Sequence, residues 1–224
     1  ICQHLIAKEQ AERAAAQSEP EILQSDLSGL LMELLQWGCS DPAQMSWLDQ
    51  PPTVNLLAAK RLLRMLGALD GERLSAQGQK MAALGNDPRL AAMLVSAKSD
   101  DEAATAAKIA AILEEPPRMG NSDLGVAFSR NQPAWQQRSQ QLLKRLNVRG
   151  GEADSSLIAP LLAGAFADRI AHRRGQDGRY QLANGMGAML DADDALSRHE
   201  WLIAPLLLQG SASPDARILL ALPV

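Results

Sequence analysis

The residues with the clearest chemical potential are basic side chains concentrated between positions 130 and 179. This segment holds nine Lys and Arg against four Asp and Glu, a net charge of +5, whereas residues 1–129 carry −6 and residues 180–224 carry −3. Basic side chains on a common surface attract phosphate groups without distinguishing one base sequence from another. A solvated helix face is the alternative interpretation, and the charge pattern is compatible with both. The basic residues that we single out are Arg138, Lys144, Arg145, Arg149, Arg169, Arg173, Arg174 and Arg179.

Catalytic and metal-binding patterns are absent from the sequence. It has no G-x-x-x-x-G-K-[ST] phosphate loop, no G-x-S-x-G nucleophile elbow and no H-E-x-x-H metal motif. His4, His172 and His199 are scattered, and Cys2 and Cys39 have no metal-ligand spacing. We therefore expect no catalytic residue, metal or cofactor in this chain itself. The low cysteine count favours a reducing, cytoplasmic compartment.

The composition favours a mainly helical fold. Apolar residues make up 46% of the 224 positions and aromatic residues only 3%, so Leu, Ala, Ile, Val and Met must build the core. Ala and Leu are strong helix formers. The longest apolar run, at 157–166, is about half of the roughly 20 residues that a membrane span needs, so no span is predicted. The net charge of −4 excludes a protein that is basic throughout.

Periodicity and capping residues predict most of the helices. Ser25 is expected to cap the first helix, Asp87 is followed by Pro88 at a helix start, and Ser99 with Glu102 forms a capping box. A hairpin is expected around Asp70-Gly71. The order of helix, turn, helix and small hairpin is the plan of a winged helix. Helices are predicted over 25–37, 53–66, 88 onward, 99–115, 123–130, 133–147 and 156–174.

The last part of the chain predicts strands separated by Gly, Asp and Ser. The strand-like segments are RYQLANGMGAML, EWLIAPLLLQ and DARILLAL. They predict a small β unit that begins near residue 177 and is truncated at 224. Residues 1–6 are predicted to form a strand and residues 8–21 a linker helix or loop. The apolar ends lead us to expect a piece of a longer protein.

Several other side chains have two interpretations each. Lys60, Arg61 and Arg64 would lie on a recognition helix in a sequence-specific DNA binder, but a solvated or partner-facing helix side is the interpretation we favour. Tyr180 is expected to pack rather than to stack on a base. The four tryptophans are likewise expected to pack in the core or between domains. They are Trp37, Trp47, Trp135 and Trp201.

Three segments resemble the region that follows the second motor domain of DEAH/RHA-type ATP-dependent helicases. They are EILQSDLSGLLMELLQWG (21–38), DQPPTVNLLAAKRLLRMLGALD (49–70) and LSAQGQKMAALGNDPRLAAML (74–94). The chain departs from that family's pattern at Gln24 and Ser25, where Arg and Thr are common, and at Gly85-Asn86-Asp87-Pro88, which replaces a proline-led turn. Later segments resemble the bacterial HrpB-type branch. They are AFADRIAHRRG (165–175), RYQLANGMGAMLDADDAL (179–196) and ARILLALP (216–223).

The resemblance implies an α+β architecture that is mainly α and has four units. Residues 1–19 would be the end of the second RecA-like motor domain and a linker. Residues 20–83 would be a winged helix and 84–176 a helical-bundle ratchet domain. Residues 177–224 would begin an OB-like β-barrel. In this family the winged helix packs on the motor domains and does not recognise DNA sequence.

The same resemblance implies an accessory role in an ATP-dependent helicase. The region would contact the backbone of single-stranded RNA or DNA and couple motor movement to translocation. ATP and Mg would bind in motor domains outside this chain, on which the region would also pack. The residues implied in backbone contact are Arg169, Arg173, Arg174 and Arg179, and secondarily Lys144 and Arg145.

Two other functions remain open from the sequence. The chain could be a winged-helix transcription regulator, which requires duplex binding with sequence preference. It could also be a protein-interaction scaffold in which the basic segment meets an acidic partner. Competition by an acidic protein, but not by nucleic acid, would favour the scaffold.

Overall fold

The structure, a computed structural model, joins a helical part to a small β-barrel. It describes residues 20–39, 41–85, 87–117, 122–175, 178–209 and 213–224. The helices are α1 (Ser28–Gln36), α2 (Thr53–Met65), α3 (Ala76–Leu84), α4 (Pro88–Val95), α5 (Asp100–Glu114), α6 (Leu124–Ser129), α7 (Pro133–Arg145) and α8 (Ile158–Ala165). The strands are β1 (Leu69–Asp70), β2 (Arg73–Leu74), β3 (Ile170–Arg173), β4 (Arg179–Leu182), β5 (Gly187–Met189), β6 (Trp201–Leu208) and β7 (Ala216–Pro223). This confirms a mainly helical chain with a β-barrel. The predicted strand over 1–6 and most of the predicted linker over 8–21 lie outside the described residues.

The first helix begins later than its predicted cap. Ser25 does not cap α1, because the Oδ1 atom of Asp26 accepts the hydrogen bond from the Ser28 amide at 2.7 Å. The hairpin predicted at Asp70-Gly71 is present as the β1–β2 pair. Gly71 has φ of 61°, a value that glycine adopts without steric cost.

Two cations on one side of α2 form ion pairs within the chain. Lys60 and Arg64 both bind the carboxylate of Glu72, which lies in the turn between β1 and β2. Hydrogen bonding and charge from Lys60, with a smaller contribution from Arg64, lower the pKa of Glu72. A solvated or partner-facing role for this helix side stays a prediction.

Helices α4 and α5 start where the sequence predicted. The Asp87 carboxylate accepts from the Arg89 amide at 2.9 Å, and the Ser99 hydroxyl accepts from the Glu102 amide at 3.1 Å. The Glu102 carboxylate accepts from the amide of Lys98, one residue before the expected partner. Both starts thus satisfy amides that have no partner within the helix.

The predicted helix over 156–174 is wrong beyond Ala165. Helix α8 ends there, and after a 3-10 turn the chain enters β3 at Ile170, so the barrel begins before residue 177. Strand β3 pairs with both β4 and β6, which satisfies its backbone hydrogen bonds on two sides. Its burial alternates, with Ala171 inside the barrel and His172 exposed. Tertiary pairing therefore overrides the local preference for helix.

The five later strands form a closed barrel in the order β3-β4-β5-β7-β6. The β5–β7 pair is parallel and the other neighbours are antiparallel. The described strands between Ile170 and Pro223 thus close a ring, and whether the β unit is truncated stays a prediction. Tyr180 is 1% exposed inside it, with its hydroxyl 2.8 Å from the Leu196 carbonyl and 2.9 Å from that of His199. The prediction that Tyr180 packs is confirmed, and burial raises the pKa of its hydroxyl.

The barrel and the helices share one apolar core. Ile203 in β6 and Leu220 in β7 belong to the same buried cluster as helical residues such as Ile109 and Leu162. A second cluster, which includes Ala171 and the other inward side chains, fills the barrel itself. None of the described helices has the length and apolar content of a bilayer span.

Candidate nucleic-acid interface

Two of the predicted basic residues meet at one end of the barrel. Arg174 follows β3 and Arg179 begins β4, and the Arg174 amide donates to the Arg179 carbonyl at 2.7 Å. Both side chains are exposed. The antiparallel pairing fixes them as neighbours, so two positive charges lie at the same end of the β3–β4 hairpin.

The strand register places further side chains on the same outer face. His172 lies opposite Trp201 of β6 on one side and Gln181 of β4 on the other. Side chains alternate along a strand, so residues two apart share a face. His172 and Arg174 therefore share the outer face of β3, while Ala171 points into the barrel. We call Trp201, His172, Gln181, Arg174 and Arg179 the hairpin face.

An aromatic pair occupies one row of the hairpin face. The rings of His172 and Trp201 lie 4.2 Å apart between centroids and are tilted by 34°. Trp201 is 44% exposed, so it does not pack in the core, and packing between domains stays a prediction for it. The Glu200 carboxylate lies 3.6 Å from Nε2 of His172. Sequence reasoning missed this pair, because residues 170–173 had been predicted as helix.

Arg173 lies beside the hairpin face but points differently. It is half-buried, and its Nη1 atom donates to the Arg198 carbonyl at 3.1 Å. Its amide donates to the Glu200 carbonyl at 2.9 Å. Arg173 therefore fixes the segment that leads into β6, and a contact with phosphate stays a prediction for it.

Arg169 lies at the junction of helices and barrel. Its guanidinium carbon is 5.7 Å from the centre of the Phe166 ring, and its Nη1 atom donates to the Pro205 carbonyl at 2.6 Å. Burial, followed by the charge of Arg89, lowers the pKa of Arg169. The structure thus separates Arg169 from the hairpin face and gives its guanidinium a partner within the chain.

A buried ion pair stands next to Arg169. Arg89 is 7% exposed and binds both carboxylate oxygens of Asp168, at 2.6 and 2.7 Å. A cleft of about 850 Å³ lies between the helices and the barrel, and its lining includes Arg61 of α2, Arg89, Asp168, Arg169 and Asn184. The guanidinium groups of Arg61, Arg89 and Arg169 thus border this cleft, and Asp168 neutralises that of Arg89.

Lys144 and Arg145 occupy a different place, the end of α7. Arg145 donates from Nη1 to the Leu84 carbonyl at 2.7 Å and so caps the end of α3. Lys144 is exposed and lines a groove of about 580 Å³ with Arg149. The structure therefore brings together Arg174 and Arg179, puts Arg173 next to them, and keeps Arg169, Lys144 and Arg145 elsewhere.

Metal ligands do not converge in the described part of the chain. No group of three or more His, Cys, Asp or Glu side chains there could hold a metal ion. The hairpin face presents two exposed arginines and an exposed aromatic pair on the outside of the barrel.

Known proteins similar to the chain are helicases. No family model matches the chain. Over all 224 residues it is 96% identical to the ATP-dependent RNA helicase HrpB of Escherichia coli strain K12, and it spans 28% of that protein's length. Over its whole length the chain is similar to a part of an HrpB-type DEAH/RHA helicase. The HrpB-type resemblance deduced from the sequence is thereby confirmed, and the transcription regulator has no support.

Solved structures of HrpB have the same fold as the chain. The crystal structure of the E. coli DExH-box NTPase HrpB matches with a TM-score of 0.89 and 97% identity, over 99% of this chain and 27% of that one. The crystal structure of the Escherichia coli DEAH/RHA helicase HrpB matches with a TM-score of 0.90 and 92% identity, over 99% of this chain and 28% of that one.

More distant helicases match the HrpB-type chain only in part. The probable ATP-dependent RNA helicase DHR2 of Saccharomyces cerevisiae is 34% identical over 82 residues, 36% of this chain and 11% of that protein. The HrpA homolog of Haemophilus influenzae is 30% identical over 105 residues, 43% of this chain and 8% of that protein.

Proposed function

We propose that the chain is the accessory C-terminal region of an ATP-dependent helicase, contacting the backbone of single-stranded RNA and coupling motor movement to translocation. The observation that carries this is the 96% identity, over the whole chain, to an RNA helicase. The exposed Arg174 and Arg179 on the barrel supply a surface suited to phosphate groups. A cytoplasmic location follows from this proposal.

We further propose a division of labour within the chain. The order of α1, α2, the β1–β2 hairpin and α3 supports a winged helix over 20–83. The packing of α5 against α7 and α8 supports a helical-bundle ratchet domain that follows it. The closed five-stranded ring supports an OB-like barrel, whose first strand is β3.

We assign nucleotide chemistry to motor domains outside the chain. ATP and Mg²⁺ would bind there, in the part of the helicase that this chain does not span. An exposed face of α2 suits packing against those domains, since Val54, Leu57 and Met65, 71%, 50% and 41% exposed, share it with the exposed Arg61. Intramolecular contact with the motor domains would cover this face.

Binding of single-stranded RNA at two salt concentrations tests the proposal. The logarithm of the association constant for a single strand falls linearly with the logarithm of the salt concentration, with a slope of about −0.7 per phosphate contact. Arg174→Ala/Arg179→Ala should therefore weaken binding at 50 mM salt and make the slope shallower by about 1.4. Lys98→Ala/Arg217→Ala removes the same charge from exposed positions elsewhere and is the matched control.

Two results would contradict the proposal. An unchanged salt slope in Arg174→Ala/Arg179→Ala would show that the hairpin face makes no phosphate contact. Tighter binding to a particular duplex sequence than to single strands would point instead to a transcription regulator.

A further inference from the structure

We propose that the hairpin face is a base-stacking site for a single strand. Trp201 would stack on one base, His172 would support the indole from within the sheet, and Arg174 with Arg179 would hold an adjacent phosphate. The inference rests on the proposed function, because it specifies how the barrel would hold a strand.

Trp201 is exposed to solvent although the three residues that follow it in β6 are buried. The next three residues of β6, Leu202, Ile203 and Ala204, are 0%, 3% and 0% exposed, whereas Trp201 is 44% exposed. A large aromatic ring left in solvent at the edge of a buried strand has apolar surface still to cover. A nucleobase has a flat face that suits this surface.

One face of the indole is already in contact with a neighbouring ring. Trp201 is the register partner of His172, and the centroids of the two rings lie 4.2 Å apart. Contact on one side reduces the side-chain freedom that stacking on a base would remove.

The two arginines lie at the spacing that a strand needs. Arg174 is two residues beyond His172 on the same face, about 7 Å along β3. Arg179 is its neighbour across the hairpin, where the backbones of Arg174 and Arg179 are hydrogen-bonded. One aromatic row and one basic row therefore run side by side, a combination that binds single strands with little sequence preference.

A second exposed indole has no basic residues near it in the sequence. Trp37 at the end of α1 is 80% exposed. Residues 31–42 around it contain no Lys or Arg and include Glu33 and Asp41, and the cavity beside it is lined by both Arg73 and Glu72. Trp37 therefore provides an exposed indole in an acidic stretch of sequence and serves as the matched control.

Fluorescence anisotropy with the full-length helicase, without nucleotide, tests the site. The probes are a labelled U12 RNA and an abasic 12-mer with the same number of phosphates. We expect Trp201→Leu, which keeps an apolar side chain on β6 but removes the stacking ring, to weaken U12 binding by about 5- to 100-fold. It should leave the salt slope and the binding of the abasic strand unchanged.

Two further variants make the result specific. Trp201→Phe keeps a ring and should retain most of the affinity for U12, and Trp37→Ala should bind as the parent does. Equal binding of U12 by Trp201→Leu and the parent would overturn the inference. This is the result expected if the motor domains cover Trp201. An equal loss on the abasic strand would overturn it too. A parent that binds neither strand would instead refute the proposed function, on which the inference depends.

Discussion

The ion pair between Arg89 and Asp168 leads to a sharp prediction about stability. It ties the start of α4 to the turn before the barrel, and Nη1 of Arg89 also donates to the Ala165 carbonyl at 3.0 Å, which caps the end of α8. Asp168→Asn keeps the shape of the side chain but removes its charge. Arg89, 7% exposed, would then be a buried cation without a counter-charge.

Breaking a buried pair by removing one partner costs about 3–5 kcal/mol. For a chain of this size each 1 kcal/mol lowers the Tm by about 2–4 °C, so Asp168→Asn should lower it by roughly 6–20 °C. Circular dichroism at 222 nm during thermal unfolding of the 224-residue chain measures this. Arg89→Met/Asp168→Leu, which replaces both charges by apolar groups, should be much closer to the parent.

The cost of Asp168→Asn should also depend on pH. Burial alone would raise the pKa of Asp168, but the hydrogen bonds and charge of Arg89, with the charge of Arg169, lower it below its usual 3.8. A lowered carboxyl pKa contributes stability above the pKa of the unfolded chain, and this is lost as the pH falls through the folded value. The difference in Tm between parent and variant should therefore shrink below about pH 4. A Tm within 2 °C of the parent at pH 7, or a difference that persists in strong acid, would refute the argument.

Four other substitutions have calculable effects on the free energy of unfolding by urea. Gly78→Ala would push a methyl group into the Ala68 carbonyl and should cost at least about 2 kcal/mol, whereas Gly29→Ala, with its nearest neighbour at 4.0 Å, should be neutral or stabilising. Tyr180→Phe should cost about 1–2 kcal/mol by removing a buried hydroxyl that bonds two carbonyls. Ser99→Ala should cost about 1 kcal/mol through loss of the α5 cap. Equal costs at the two glycines, or none at the tyrosine, would contradict these contacts.

Local signals in the sequence predicted the helices well where a cap is encoded by neighbouring residues. Asp87 and Ser99 act at the predicted helix starts because each bonds to an amide two or three positions away. Strand β3 could not be predicted in this way. Its extended backbone depends on pairing with β4 and with β6, in which Trp201 lies opposite His172. In addition, an amphipathic pattern over four residues does not distinguish a strand from a helix.

The candidate site was predicted in part for the same reason. Arg174 and Arg179 flank a short turn, so their proximity is encoded locally. The contact of His172 with Trp201 requires the barrel to close, and the half-buried position of Arg169 requires the helices to pack against it. Net charge over a window of sequence therefore located the basic region but not the side chains that meet within it.

The apolar core that Ile203 and Leu220 share with the helices has a mechanical consequence. Sliding the barrel against the helices would require apolar surface to be opened to water, so the two should move as one stiff body. If the barrel holds a strand as proposed, a force on that strand would pass directly into the helices. Elastic compliance would then lie outside this body, in its contacts with the proposed motor domains.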